Sequence, residues 1–167
     1  VVCEGVTQSD SSVTAVCANA IAEGTSNINV LADTFNSDVL AVDIGMNSDC
    51  KNTKLINRKI ACGTENIAAG AAMTYEQAES AISVGMDIVG ELKNKGVNII
   101  VTGEMGIGNT TIASALSAVL LNLSPKAVTG RGAGLDSEGL SRKISVIERA
   151  IAVNNPNVNK PIELLAK

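Results

Sequence analysis

The sequence has no histidine and no tryptophan, and among its 167 residues Tyr75 and Phe35 are the only aromatic ones. Without histidine, the chain contains neither a Ser-His-Asp nor a Cys-His catalytic group. Few aromatic side chains are available to stack on unpaired bases, and a net charge of −4 does not attract a phosphate backbone. We therefore expect no nucleic-acid partner.

The sequence also lacks long apolar runs and paired cysteines. No apolar run approaches the length of about 18 residues that a membrane-spanning helix needs, and no secretory signal is visible. Cys3, Cys17, Cys50 and Cys62 form no CxxC pair, so a zinc site built from four thiolates is disfavoured. We expect reduced, mostly buried thiols in a cytoplasmic protein that does not bind a membrane.

Apolar residues, almost all of them aliphatic, make up 46% of the chain, which suits a parallel sheet covered by helices. Buried strands are expected at 39–44 and 97–102, and the polar segment 47–59 is expected to be an exposed loop. Asp43 lies near the carboxyl end of its strand, the edge where α/β sheets bind ligands. The alternative is that its carboxylate caps the following loop.

Helical periodicity is found in three further segments. Residues 13–35 have an apolar face, interrupted near Gly24, and a final helix is expected at 139–153. Thr74 and Gln77 form a capping box for a helix that should continue to about Lys95. The alternation of strands and helices predicts one three-layer, Rossmann-like α/β domain over 1–167, with a mainly parallel sheet. The 75–95 helix should be a right-handed crossover between the two predicted strands.

The segment 103–111, GEMGIGNTT, is the most informative part of the chain. It follows a predicted strand and precedes an apolar helix, an arrangement that directs unpaired backbone N–H groups and the helix dipole at an anion. The segment therefore suggests phosphate binding. A tight turn with Asn109 as an ordinary N-cap remains the alternative.

This loop matches neither common nucleotide-binding motif. No lysine follows its last glycine, as a Walker loop requires, and its GxxGxG spacing differs from the dinucleotide GxGxxG. The positive charge must then come from elsewhere. A second glycine loop, residues 129–136, precedes a basic segment, so Lys143 or Arg131 could supply it. We expect Gly106, Gly108 and Lys143 to converge on one anion site.

Taken together, GEMGIGNTT, the following GRGAGLD at 130–136 and Lys143 resemble the large domain of the nicotinate-nucleotide:dimethylbenzimidazole phosphoribosyltransferases. EGVTQS at 4–9, VDIG at 42–45, and GTENI at 63–67 with the later AMT also resemble that family's patterns, in the same order. The resemblance covers nearly the whole chain. It implies that the chain is the central portion of the large domain, truncated at both ends.

The resemblance implies a transferase that moves ribose 5-phosphate from nicotinate mononucleotide to 5,6-dimethylbenzimidazole or a similar base. The products would be α-ribazole phosphate and nicotinate, for the assembly of the cobalamin nucleotide loop. It further implies small-molecule substrates, no cofactor, no metal and a homodimer.

Site residues are also carried over from the resemblance. Glu104 would lie beside the substrate, although a structural role in accepting loop N–H bonds is the alternative. Gln8 and Ser9 would line the pocket for the base, in a segment whose register differs from the family pattern, so another base is possible. The residues expected to contact the substrate or its phosphate are Gly106, Ile107, Gly108, Asn109, Gly130, Gly132 and Lys143.

The family's general-base glutamate belongs to a later, GEGTGA-like motif, and no segment of this sequence matches it. A second hypothesis is therefore a catalytically incomplete fragment or paralogue that binds a mononucleotide or phosphate. A nucleotide-hydrolysing P-loop protein is disfavoured because the GK[ST] sequence and an evident Mg²⁺ site are missing.

Overall fold

The computed structural model describes residues 5–49 and 51–167. Of these, residues 5–10, 63–80 and 106–167 form one compact unit, and residues 11–49, 51–62 and 81–105 form a second. In chain order the elements are α1 (Ser12–Glu23), α2 (Asn27–Thr34), β1 (Val42–Asp43), β2 (Ile56–Asn57), α3 (Tyr75–Asn94), α4 (Asn109–Leu120), α5 (Pro125–Val128), α6 (Ser137–Asn154) and α7 (Pro161–Ala166). No helix in the described ranges is long and apolar enough to cross a membrane.

Helices α1 and α2 confirm the predicted interruption at Gly24. This glycine has φ of 80°, and its N–H donates to the Ile21 carbonyl at 3.2 Å, which closes α1 with a left-handed cap. The predicted apolar face is not buried, however, because Val16 and Val30 are 67% and 66% exposed. Periodicity identifies the side of a helix that is apolar, but it does not show whether a second layer covers that side.

The sheet is smaller than predicted. β1 pairs in parallel with β2, with Val42 opposite Ile56, so the segment predicted to be a loop contains a strand. The prediction of a buried strand at 97–102 is wrong for this structure: Ile99 and Val101 are 83% and 90% exposed, and none of the described residues pairs with the segment as a strand. A buried strand needs neighbours on its edges and layers on its faces. The structure is thus helix-rich α/β with a small parallel sheet.

Helix α3 has the predicted boundaries. The Thr74 N–H donates to Gln77 Oε1 at 2.9 Å, and the Gln77 N–H donates to Thr74 Oγ1 at 3.2 Å, which confirms the capping box. Gly96, with φ of 84°, follows the C-terminal end. Ala78 is buried, whereas Met86 is 69% exposed, so the apolar side of this helix is only partly covered.

The core of the first unit packs around α6. Its buried cluster joins side chains from three parts of the sequence: Val6, Ile67, Ala68, Ala72, Val146 and Ala150. Helix α6 begins at a side-chain cap, where Asp136 Oδ1 accepts from the Gly139 N–H at 2.7 Å. The predicted helix and its apolar face are confirmed, since Ile147 is fully buried. One side of α6 is therefore fixed against the core.

Candidate functional site

Lys143 lies on the buried side of α6. It precedes Val146, Ile147 and Ala150 by three, four and seven positions, so all four share one helix face, and all are buried. The lysine is only 1% exposed. The spacing that buries the apolar side chains therefore buries this lysine as well.

The Lys143 ammonium contacts both glycine loops. Its Nζ donates to Thr110 Oγ1 at 2.7 Å, in the first turn of α4, and to the Gly130 carbonyl at 3.2 Å. Within the described ranges it forms no ion pair with a carboxylate, and desolvation by burial lowers the pKa of Lys143 from its ordinary 10.5. An ammonium has three N–H donors, so one remains for a ligand. Among the described residues, this buried positive charge is bound by neutral acceptors alone.

The second loop passes close to this ammonium at Gly132. Gly132 has φ of 59°, and a Cβ atom at this position would lie 2.9 Å from Thr110 Oγ1 and 3.4 Å from Lys143 Nζ. Arg131 is engaged elsewhere, because its guanidinium donates to the Leu135 carbonyl at 2.8 Å and to Ser137 Oγ at 3.1 Å. Of the two cations suggested by the sequence, Lys143 therefore contacts the first loop. Arg131 instead forms its hydrogen bonds within and just after the second loop.

The first loop contains features of both a phosphate-binding loop and a tight turn at a helix N-terminus. The N-cap of α4 is Gly108, with φ of 91°, so Asn109 is the first helical residue and not the N-cap. The Asn109 N–H donates to the Gly106 carbonyl at 3.0 Å, and the Thr110 and Thr111 N–H groups donate to Asn109 Oδ1 and the Gly108 carbonyl. The N–H groups of Gly106 and Gly108 donate no hydrogen bond to the described chain. The free donors are thus in the loop and not in the first turn.

The structure places the other predicted site residues as follows. Gln8 is exposed, and the Ser9 N–H donates to Thr7 Oγ1 at 3.2 Å. Ile107 is half-buried next to the free loop donors, whereas Glu104 is exposed and belongs to the second unit. Neither Gln8 nor Ser9 forms a hydrogen bond with Lys143. The roles assigned to these residues stay predictions.

A family model described as Phosphoribosyltransferase matches residues 1–167. The chain belongs to this phosphoribosyltransferase family. The match extends over both glycine loops and Lys143, so the buried ammonium lies within the family's domain.

Similar proteins carry a more specific name. The chain is 46% identical over 167 residues to the nicotinate-nucleotide--dimethylbenzimidazole phosphoribosyltransferase of Ruminiclostridium cellulolyticum, and equally identical to that of Acetivibrio thermocellus. Those alignments cover 100% of this chain and 47% and 48% of the relatives. The crystal structure of CobT from Thermus thermophilus superposes with a TM-score of 0.91 at 38% identity, over 98% of this chain and 49% of that one. The chain thus spans about half the length of the curated relatives it matches.

The contacts of Asp43 confirm the loop-capping alternative for this member of the family. Its carboxylate is 4% exposed, and Oδ1 accepts from the N–H groups of Gly45 and Met46 at 3.0 and 2.8 Å. Lys59 Nζ lies 3.4 Å from Oδ2. Desolvation by burial lowers the pKa of Lys59. The charge and hydrogen bond of Asp43, together with the charges of Cys62 and Asp49, act in the opposite direction and outweigh desolvation, so the net effect is a raised pKa. Asp43 thus holds its own loop.

Free cysteines are found at Cys17, which is half-buried, and Cys62, which is exposed, so neither of these two is the buried thiol that was expected. Cys3 and Cys50 lie outside the described residues. In the part of the chain that the structure describes, no group of three or more histidine, cysteine, aspartate or glutamate residues is placed to hold a metal ion.

Thr110 is a contact of Lys143 that the sequence did not predict. It lies inside the GEMGIGNTT motif, but the motif does not say which of its two threonines turns towards the second loop. In the structure it is Thr110, because its Oγ1 accepts a hydrogen bond from Lys143 Nζ, whereas Thr111 is fully buried. Lys143 lies 33 positions further along the chain.

Proposed function

We propose that this chain provides the nicotinate mononucleotide site of a nicotinate-nucleotide:dimethylbenzimidazole phosphoribosyltransferase. The observation that carries the proposal is the buried Lys143 ammonium, which has two neutral acceptors and no counter-charge in the described chain. Burying an uncompensated charge costs several kcal/mol, roughly, in real proteins. A bound phosphate dianion would compensate it. The names of the similar enzymes support nicotinate mononucleotide as the source of that phosphate.

The proposed phosphate position lies between the two glycine loops. Lys143 would donate its third N–H, and the unpaired N–H groups of Gly106 and Gly108 would supply neutral donors. A side chain at Gly132 would crowd this position, because its Cβ atom would lie 3.4 Å from Nζ. Hydrogen bonds between charged partners are about twice as strong as neutral ones, so Lys143 should dominate the affinity.

The proposed reaction exchanges one carbon–nitrogen bond for another. The bond from the sugar C1 to the pyridinium nitrogen breaks, and nicotinate leaves with the bonding electrons as a neutral ring nitrogen. A new bond forms from C1 to the azole nitrogen, and the azole gives up its proton to a base. Glu104 is proposed to hold the ribose or to stabilise positive charge at C1, and Gln8 and Ser9 to frame the azole. The proton acceptor is not assigned to any residue of this chain.

A calorimetric titration of the purified chain with nicotinate mononucleotide tests the phosphate site. Lys143→Met should weaken binding strongly. Arg149→Met is the matched control, because it removes the same charge from an exposed position of the same helix. Equal losses in the two variants would point to diffuse electrostatic attraction and would contradict the proposed site.

The second candidate function is nucleotide binding without base exchange. The chain spans about half of its relatives, and no segment matches the motif that carries the family's general base. We therefore expect the 167-residue chain to bind nicotinate mononucleotide but to form no α-ribazole phosphate with 5,6-dimethylbenzimidazole, since general-base assistance typically contributes about 10²–10⁴-fold. Product formation at the rate of a full-length relative would mean that Glu104 or another carboxylate of this chain acts as the base. Assembly as a homodimer stays a prediction.

A further inference from the structure

The Thr110 hydroxyl binds the buried ammonium and belongs to an exposed residue. Lys143 Nζ donates to Thr110 Oγ1 at 2.7 Å, so the oxygen is an acceptor and its own hydrogen must point elsewhere. No acceptor for that hydrogen is found among the described residues. Lys143 is 1% exposed, whereas Thr110 is an exposed residue. Of these two hydrogen-bonded residues, Thr110 is therefore the one that solvent reaches.

Neighbouring hydroxyl groups do not share this arrangement. Thr111 is fully buried, and its Oγ1 has no hydrogen-bond partner among the described residues. Ser114 donates to the backbone carbonyls of Thr110 and Val128, at 2.8 and 3.2 Å. Only Thr110, of these three, contacts the ammonium. The second loop approaches this hydroxyl closely at Gly132, since a Cβ there would lie 2.9 Å from Oγ1.

We propose that Thr110 both positions Lys143 and binds the ligand: its hydroxyl accepts a hydrogen bond from the ammonium and donates one to a phosphate oxygen. The proposal rests on the proposed function, because it concerns the same anion. It adds a residue that is not among the predicted site residues, with a role that requires a hydroxyl and not merely a side chain of that size. Serine should perform this role, and valine should not.

The test measures binding of inorganic phosphate and of nicotinate mononucleotide by calorimetry, in wild type and in four variants. Thr110→Val keeps the shape and removes the hydroxyl, Thr110→Ala also removes it, and Thr110→Ser restores it. Thr111→Val is the matched control at the adjacent position. The variants without a hydroxyl at 110 should bind about tenfold more weakly, because they lose one hydrogen bond to the anion and one to the ammonium. Thr110→Ser should stay within about threefold of wild type, and Thr111→Val should bind as wild type does.

The pH dependence distinguishes positioning of the charge from a purely structural role. An acceptor on the ammonium favours its charged form, so removing the Thr110 hydroxyl should lower the pKa of Lys143 further. Phosphate binding should then be lost at a lower pH in Thr110→Val than in wild type. If Thr110 has only a structural role, its replacement should lower the melting temperature but leave unchanged the alkaline pH at which phosphate binding is lost. Thr110→Ala serves the same purpose if the valine variant does not fold.

The outcomes separate this proposal from the proposed function. If folded Thr110→Val or Thr110→Ala binds phosphate like wild type and loses it at the same alkaline pH, the proposed role of Thr110 is overturned. The proposed phosphate site is not affected by that result. If Thr111→Val weakens binding as much as Thr110→Val, the effect is a general one on α4, which also overturns it. If wild type binds neither ligand, or Lys143→Met binds equally well, the phosphate site fails and the Thr110 proposal fails with it.

Discussion

Replacing Lys143 by methionine should weaken ligand binding and stabilise the ligand-free fold at the same time. On the binding side, the substitution removes the only buried cation at the proposed phosphate position in the described chain. A charge-assisted hydrogen bond contributes about 1.5–3 kcal/mol, so the Kd for nicotinate mononucleotide should rise roughly 10- to 150-fold.

The free energy of unfolding should change in the opposite direction. Lys143 is buried without a counter-charge in the described chain, and methionine has similar length without the charge. The two acceptors that lose their donor belong to Thr110 and Gly130, which are exposed residues, so water can replace the ammonium. Substituting apolar groups for buried charges is often neutral or stabilising. We expect a gain of roughly 1 kcal/mol near neutral pH.

The gain should depend on pH with a definite sign. The pKa of Lys143 is lowered in the folded state, so between that pKa and the ordinary 10.5 the unfolded chain binds more protons. The free energy of unfolding of wild type therefore rises with pH across this window. The destabilisation of wild type by the buried Lys143 charge is complete below the folded pKa and disappears as pH approaches 10.5. The stability difference between Lys143→Met and wild type should narrow accordingly.

Urea unfolding at pH 7 and at several alkaline pH values measures the stability difference, and calorimetry with nicotinate mononucleotide measures the affinity. Arg149→Met is the control in both assays, and it should show neither the stability gain nor the loss of affinity. A Lys143→Met variant that is less stable than wild type at pH 7, yet binds equally well, would refute the reasoning, because the lysine would then be a structural residue.

Two further predictions test the surroundings of the site and the second unit. Gly132→Ala should lower the free energy of unfolding by about 1–2 kcal/mol in urea titrations, because alanine is disfavoured at φ of 59°, and it should weaken phosphate binding by crowding Thr110; a variant as stable as wild type would contradict this. Asp43→Asn should cost about 1–3 kcal/mol, since the carboxylate pairs with Lys59 and caps its loop. Because the pKa of Lys59 is raised, the contribution of this pair should be complete below pH 10.5 and lost as pH rises through the folded pKa; unfolding curves of the variant and wild type that differ equally at all pH values would argue against the pair.

Local signals in the sequence were sufficient to predict several boundaries of the fold. The capping box at Thr74, the left-handed glycines at Gly24 and Gly96, and the apolar periodicity of α6 all act within one or two helical turns. Such interactions depend on nearby residues alone, so they can be inferred without knowledge of the rest of the chain. The same holds for the family resemblance, which rests on contiguous motifs.

Whether an apolar segment is covered could not be predicted in this way. The segment 97–102 has the composition of a buried strand, but in the structure it has no strand partner among the described residues and remains largely exposed. Conversely, the two-residue strand β2 lies in a polar segment without periodicity and exists because β1 pairs with it. Pairing and coverage are properties of distant elements, so the local pattern leaves them open.

The candidate site divides in the same way. The sequence by itself determined that a glycine loop precedes a helix and that this loop has no lysine after its last glycine, because these follow from residue types and their spacing. Only the tertiary structure decided that Lys143 contacts the first loop, that Arg131 is engaged in its own loop, and that Thr110 accepts from the ammonium. The physical reason is that the core packing of α6 brings Lys143 to α4, and no local interaction records that contact.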